Sequence, residues 1–242
     1  MEWQAPAIVL DVRPYGEGDA VAGVLTGAHG LYRGLARGGA SRQRAAVWQP
    51  GNLIEARWIA RLAEQLGSLT AELVYPAAAL AMDDPLALAM LSAACAVAEG
   101  ALPEREPHPR SFAGLLHLIA HLGDGAALLP RFVQWEAALL GDLGYGLDLT
   151  RCALTGTADD LAFVSPRTGR AVSREAAGQW REVLLRLPPF LLADAPSDPA
   201  AWSDGLALTG HFLARDAFGA HHRPLPAARQ RLADRVAAMA AT

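Results

Sequence analysis

The chain has 242 residues, 52% of them apolar, with a formal net charge of −4 and only two cysteines. That length holds one large domain or two small ones with a full core, while two cysteines are too few for a disulfide scaffold. No apolar run reaches the roughly 18 residues of a membrane span, and Met1-Glu2-Trp3 opens no basic-then-apolar signal peptide, so the expected location is cytoplasmic.

Charge is segregated along the chain. All 21 basic residues are arginine. Between residues 30 and 62 stand Arg33, Arg37, Arg42, Arg44, Arg57 and Arg61 against the single acid Glu55. From 63 to 107 the balance reverses, with Glu64, Glu72, Asp83, Asp84, Glu99, Glu104 and Glu106 against Arg105. A GC-rich genome accounts for the missing lysine but not for the clustering. A local basic patch, rather than the whole-chain sum, is what concentrates phosphate.

Residues 7–13 are apolar and β-branched and end at Pro14-Tyr15-Gly16, which predicts a strand. Residues 20–26 follow, closed by a glycine-bounded turn at 27–30. Residues 31–37 alternate apolar with basic side chains, the pattern of a half-buried strand. A polar, basic loop begins at Gly38-Gly39. Residues 52–60 and 68–73 complete five short strands, a number and spacing that fit a small closed barrel. Gly23 and Gly34 fall inside strands, where a barrel bends.

Beyond Tyr75-Pro76 the period becomes helical. Asp84 followed by Pro85 predicts a cap and a helix to about 102. Ser111 is expected to cap a second helix to 122, and residues 128–143 form a third. That third helix runs into Gly144-Tyr145-Gly146 and delivers Cys152 to a short β segment at 161–173. Ser173 is expected to cap a fourth helix that Pro188-Pro189 stops. Asp198-Pro199 opens another to about Phe218, and a last amphipathic helix covers 226–239. The fold class is therefore α+β: a barrel, then a mostly helical domain with a small β insertion.

At the insertion a zinc ribbon would carry two Cys-x-x-Cys knuckles. This chain has Cys152-x-x-Thr155 and Ser173-x-x-Ala176. A closed structural zinc site takes about four N, S or carboxylate ligands, so the expectation is a finger-like hairpin without metal. Cys95 lies in an apolar helical run and reads as a buried, reduced thiol.

No catalytic constellation is visible. There is no phosphate-binding Gly-x-x-x-x-Gly-Lys and no Gly-x-Ser-x-Gly elbow. His117 and His121 share a helix face but read as surface histidines, and Asp83-Asp84 as a helix start favoured by its dipole. The expectation is a non-enzyme with no cofactor. The barrel offers a nucleic-acid surface instead. Arg33, Arg37, Arg42, Arg44 and Arg57 are candidate phosphate contacts, with Tyr32 and Trp58 as candidate stacking partners. Trp58 and Trp48 have a core reading as well. Strict alternation also puts Leu31, Arg33, Leu35 and Arg37 on one face, so the arginines do not have a face to themselves.

Several stretches carry a resemblance to a known family. They are residues 5–19, running Ala-Pro-Ala-Ile-Val-Leu to Gly-Glu-Gly-Asp, 24–30, the basic stretch 33–39, residues 131–140 (Arg-Phe-Val-Gln-Trp-Glu-Ala-Ala-Leu-Leu) and 143–149 (Leu-Gly-Tyr-Gly-Leu-Asp-Leu). In this order and at these intervals the chain resembles the RecO family of recombination mediators. The resemblance implies an N-terminal OB-fold domain over 1–76 and a helical C-terminal domain over 77–242, with a zinc-finger-like insertion, here degenerate, at about 150–176. It implies binding of single- and double-stranded DNA, strand annealing, and cooperation with RecR and the single-stranded-DNA-binding protein to load RecA in the RecF pathway, at the nucleoid during repair. It also implies a helical-domain site for the acidic C-terminal tail of the single-stranded-DNA-binding protein, for which Arg131, one turn before Trp135, is the candidate cation. The competing reading is an adaptor that binds only proteins and uses its barrel as a scaffold.

Overall fold

A computed structural model describes residues 1–62 and 65–241. Glu64, one of the acids that follow the basic stretch, lies outside the described residues. The first five strands are β1 (Glu2–Tyr15), β2 (Asp19–Thr26), β3 (Gly30–Ala36), β4 (Leu53–Ile59) and β5 (Ser68–Tyr75). They close into a ring in the order β1-β2-β3-β5-β4. β1 is long enough to pair with β4 through Glu2–Ile8 and with β2 through Ala7–Tyr15. The ring closes between β3 and β5 through one parallel pair, Leu35 with Ser68.

The hydrophobic pattern follows this geometry. Trp3, Ala5, Ala7 and Val9 point inward, then the register shifts between Val9 and Asp11 and Val12 takes the inner face. One extra residue in a strand reverses the parity of every side chain beyond it. The interior is filled by Trp3, Val9, Val24, Ile54, Trp58 and Leu69. Gly34 sits where β3 crosses this interior: a Cβ there would lie 2.8 Å from Leu69 Cβ and 3.2 Å from the Trp58 ring.

Helices α1 (Ala77–Leu80), α2 (Pro85–Ala101) and α3 (Pro109–Ala120) follow. Asp84 caps α2 as expected, its carboxylate accepting from the Leu86 and Ala87 amides at 2.8 and 3.2 Å. Ser111 does not cap α3. The helix starts two residues earlier at Pro109, with His108 as its N-cap, and Ser111 is buried in the first turn. β5 ends at Tyr75, and α1–α3 belong to the same compact unit as the barrel, Met1–Gly125.

The second unit starts at Ala126. It contains α4 (Leu129–Asp142), β6 (Leu161–Val164), β7 (Ala171–Ser173), α5 (Arg174–Ala177), β8 (Leu185–Arg186), α6 (Pro199–Phe212) and α7 (Ala227–Ala240). The three strands form a small sheet in the order β7-β6-β8. Ser173 does cap α5, accepting from the Ala176 amide. The expected long helix is absent, because Gly178 at φ +44° turns the chain out after one turn and residues 185–186 return as β8. α6 continues through a π turn, Leu213–Phe218, to the predicted end. Its core holds a buried ion pair. Arg229 of α7 forks onto Glu136 of α4 at 2.5 and 2.9 Å, and Thr209 of α6 donates to the same carboxylate at 2.6 Å. No single helix among the described residues is long and apolar enough to cross a membrane.

Candidate nucleic-acid interface

The structure separates the candidate residues of the barrel into two groups. Arg33, Arg57, Trp58 and Tyr32 are engaged within the first unit. Arg33 on β3 is ion-paired with Glu99 and with Glu104, the latter at 3.0 Å. The chain after α2 runs along the outside of β3, with the Arg105 amide donating to the Leu31 carbonyl at 2.9 Å. The outer face of β3 is therefore covered, which is why leucines and an arginine share it. Arg57 donates to Glu2 at 2.6 Å across the β1–β4 pair. Trp58, expected to stack on bases, is 1% exposed, and its indole N–H donates to the Arg33 carbonyl at 3.1 Å. A buried ring cannot meet a base, so Trp58 is a core residue, as is Trp48. Tyr32 is half-buried and set edge-on between Trp3 and Trp58, at 5.3 and 5.0 Å between ring centroids.

Arg37, Arg42 and Arg44 are different. They are exposed, and among the described residues none has a carboxylate partner. Their loop, residues 37–48, is held at both ends. The Gly38 amide donates to the Asp19 carboxylate at 2.7 Å and the Ala40 amide to the Gly18 carbonyl at 3.0 Å. At the far end Trp48 enters the barrel core. Buried Asn52 donates to the Ala46 carbonyl at 2.8 Å and accepts from the Ala78 amide at 3.1 Å. A backbone fixed in this way presents cations without ordering them afresh on binding. A groove of about 490 Å³ beside Arg44 is of mixed sign, since Arg57, Glu55 and Glu72 also line it.

Sequence reasoning missed Trp3, because the first strand begins five residues before the expected position 7. Its ring stacks on half-buried His29 at 5.0 Å, and its indole N–H has no partner among the described residues. The readable signal was the alternation of Trp3, Ala5 and Ala7 with Glu2, Gln4 and Pro6.

In the second unit Arg131 is exposed on the first turn of α4 and donates to Gln134 at 3.2 Å. It borders a groove of about 410 Å³ lined by Pro130, Gln134, Phe190, Pro196 and Trp202, with Asp194 also present. Leu128, Leu129 and Phe132, its neighbours in sequence, are buried. The β insertion brings its four knuckle positions together. The Ser173 amide donates to Cys152 Sγ at 3.3 Å, Thr155 hydrogen-bonds the same sulfur, and the Ala176 amide reaches the Ser173 hydroxyl. Cys152 is 1% exposed. Burial is the largest single influence on its thiol and raises its pKa. The hydrogen bonds from Thr155 and Ser173 together outweigh it and bring the thiol down to about 6.

The comparisons with known proteins agree along the whole chain. Residues 1–77 match the family model described as recombination protein O N terminal, and residues 82–224 that of its C terminal. The DNA repair protein RecO of Granulibacter bethesdensis is 61% identical over all of this chain and 98% of its own length. The RecO of Acidiphilium cryptum is 62% identical over 98% of this chain and 96% of its own. The RecO of Gluconacetobacter diazotrophicus is 59% identical over 99% and 96%. The chain belongs to the RecO family. Its role is thereby in DNA repair and recombination. The N-terminal RecO model ends two residues beyond β5, and the C-terminal one covers α4, the β insertion and α6. The four positions at the β insertion do not fit zinc. Three of the four are a threonine, a serine and an alanine, and no group of three or more His, Cys, Asp or Glu among the described residues could hold a metal.

Proposed function

We propose that this protein is a non-enzymatic mediator of recombinational repair that binds DNA through the arginine loop of an OB-fold barrel. The observation that carries the reading is the set of three exposed arginines, unpaired among the described residues, on a loop pinned to the barrel of a RecO chain. The ring order β1-β2-β3-β5-β4 is that of an OB fold, whose nucleic-acid face uses β2, β3 and the β1–β2 and β4–β5 loops. The arginine loop joins β3 to β4, yet it is bonded to the β1–β2 turn through Gly18 and Asp19, which supports its place beside that face.

On this reading the protein anneals complementary strands and, with RecR, helps RecA onto single-stranded DNA covered by its binding protein. The groove beside Arg131 is the site for that binding protein's acidic tail, and the β insertion is a zinc-finger-like element that has lost its metal ligands. The test is binding of a fluorescent single-stranded oligonucleotide over a range of salt. Replacing Arg37, Arg42 and Arg44 together by alanine should weaken binding and reduce the slope of log K against log salt by about two, at roughly 0.7 for each phosphate no longer neutralised. Unchanged affinity and slope would remove the loop from the mechanism and favour the protein-only adaptor.

A further inference from the structure

The three most exposed large apolar side chains of the second unit are Leu154, Val183 and Trp180, at 68%, 62% and 59%. They are not scattered. All three line one groove of about 480 Å³, together with Val172 and Leu184. Contiguous apolar surface of this kind marks an interaction site, whereas single exposed leucines do not. The buried cluster that includes Val172 is small: among the described residues it holds Cys152, Phe163, Val172 and Ala177. Folding has left Trp180 outside that core, although a tryptophan is the side chain whose burial returns most.

The wall of this groove carries charge of one sign, while the exposed Glu175 and Glu182 adjoin it in sequence beside Ala176 and Val183. Arg167 is the only ionisable side chain in its wall, is exposed, and has no carboxylate partner among the described residues. Arg181, next to Trp180, lies over the Phe163 ring at 5.8 Å. The neighbouring arginines 170 and 174 are already paired, with Asp148 and Asp160. An apolar trough with a free guanidinium calls for bulky apolar side chains followed by a carboxylate. Tryptophan and arginine at the centre of such a surface are the residue types that dominate binding energy. The groove shares no lining residue with the one beside Arg131.

We propose that this groove docks a short acidic segment of a partner protein, inserting bulky apolar side chains beside Leu154, Trp180 and Val183 and placing a carboxylate on Arg167. Bound peptide covers Trp180, so a shift in emission that Trp180→Phe abolishes reports occupancy. The experiment selects a displayed library of random, roughly twelve-residue peptides on the full chain, with Leu154→Ser/Val183→Ser as the counter-selecting variant. Both substitutions alter exposed side chains and spare the core.

The enriched peptides should combine large apolar residues with Asp or Glu, shift the tryptophan emission to the blue, and bind the double variant about tenfold or more weakly. Arg167→Glu should weaken the same peptides and strengthen versions in which lysine replaces the acids. Peptides without acidic residues, or equal affinity for Arg167→Glu, would overturn the proposal. So would concentration-dependent self-association that Leu154→Ser/Val183→Ser abolishes, since the occupant would then be a second copy of the chain.

Discussion

Arg229 and Glu136 are 1% and 0% exposed, and each is tolerable in the core only because of the other. The fork between them, completed by Thr209 and the Leu206 carbonyl, satisfies both charges. Arg229→Ala would leave a buried carboxylate without its cation, and should lower the unfolding free energy by about 3–5 kcal/mol in denaturant titration. Replacing both residues with leucine should recover most of that loss; no recovery would mean the cost lies in altered shape rather than unpaired charge. At Cys152 the sign of a pH effect follows from its surroundings. Its folded pKa, about 6, lies below the ordinary thiol value of 9.0, so folding favours the thiolate. The stabilising contribution is present above the ordinary value and is lost as pH falls through about 6. Thiolate absorbance should therefore titrate near that pH, and Thr155→Val should move the midpoint upward. Cys95, pushed up to about 12 by burial, should not contribute in this range. Residue roles were legible where the deciding partner is near in sequence, as at Asp84. They were not legible at Arg33 and Arg57, whose carboxylates come from 66, 71 and 55 positions away.

At the scale of elements, strands were easier to read than the helix that failed. The five barrel strands announce themselves because each has one face in the core and a glycine within two residues of at least one end. α5 was misread because Ser173, Glu175 and two alanines make a sound helix start, and the local signal is obeyed for one turn. Gly178 at φ +44° ends it, and residues 185–186 then pair with β6, a tertiary interaction that no local pattern carries. The arginine loop is the opposite case, visible as a basic glycine-rich stretch but without its anchors. Asn52 is the anchor that matters, since its amide group bonds the 46 and 47 carbonyls and the amide that starts α1. Asn52→Ala would remove these part-buried hydrogen bonds, at a cost of about 0.5–1.5 kcal/mol each. Amide exchange over residues 44–48 should accelerate, and oligonucleotide affinity should fall by less than in the triple arginine variant, because the cations remain but are no longer held. Unaltered exchange would show that Trp48 alone fixes the loop.

Across the whole molecule, a net charge of −4 conceals the distribution that matters. The acids that outnumber the arginines are in part the partners that neutralise Arg33 and Arg57, while Arg37, Arg42 and Arg44 stay exposed. Family membership was legible because several weak stretches fall in one order along the chain, and order is a whole-chain property. The division of labour between the two compact units follows from the same view. The arginine loop lies in Met1–Gly125 and the Arg131 groove in the unit that begins at Ala126, so the two can be disabled separately. Among the described residues Arg131 has only a neutral partner, Gln134, and is open to a carboxylate brought from outside. Such a charge-assisted hydrogen bond is typically worth about 1.5–3 kcal/mol. Arg131→Ala should therefore weaken an acidic peptide with a terminal aromatic residue and a free carboxylate by roughly tenfold or more. Binding of a naked oligonucleotide should be nearly unaffected. The triple arginine variant should behave in reverse, keeping the peptide and losing the oligonucleotide. Asp194 in the groove wall sharpens the test, because Asp194→Asn removes a repulsive charge and should tighten the peptide while leaving the oligonucleotide unchanged. If Arg131→Ala instead abolished oligonucleotide binding and spared the peptide, DNA would belong on the helical unit and the arginine loop would need another partner.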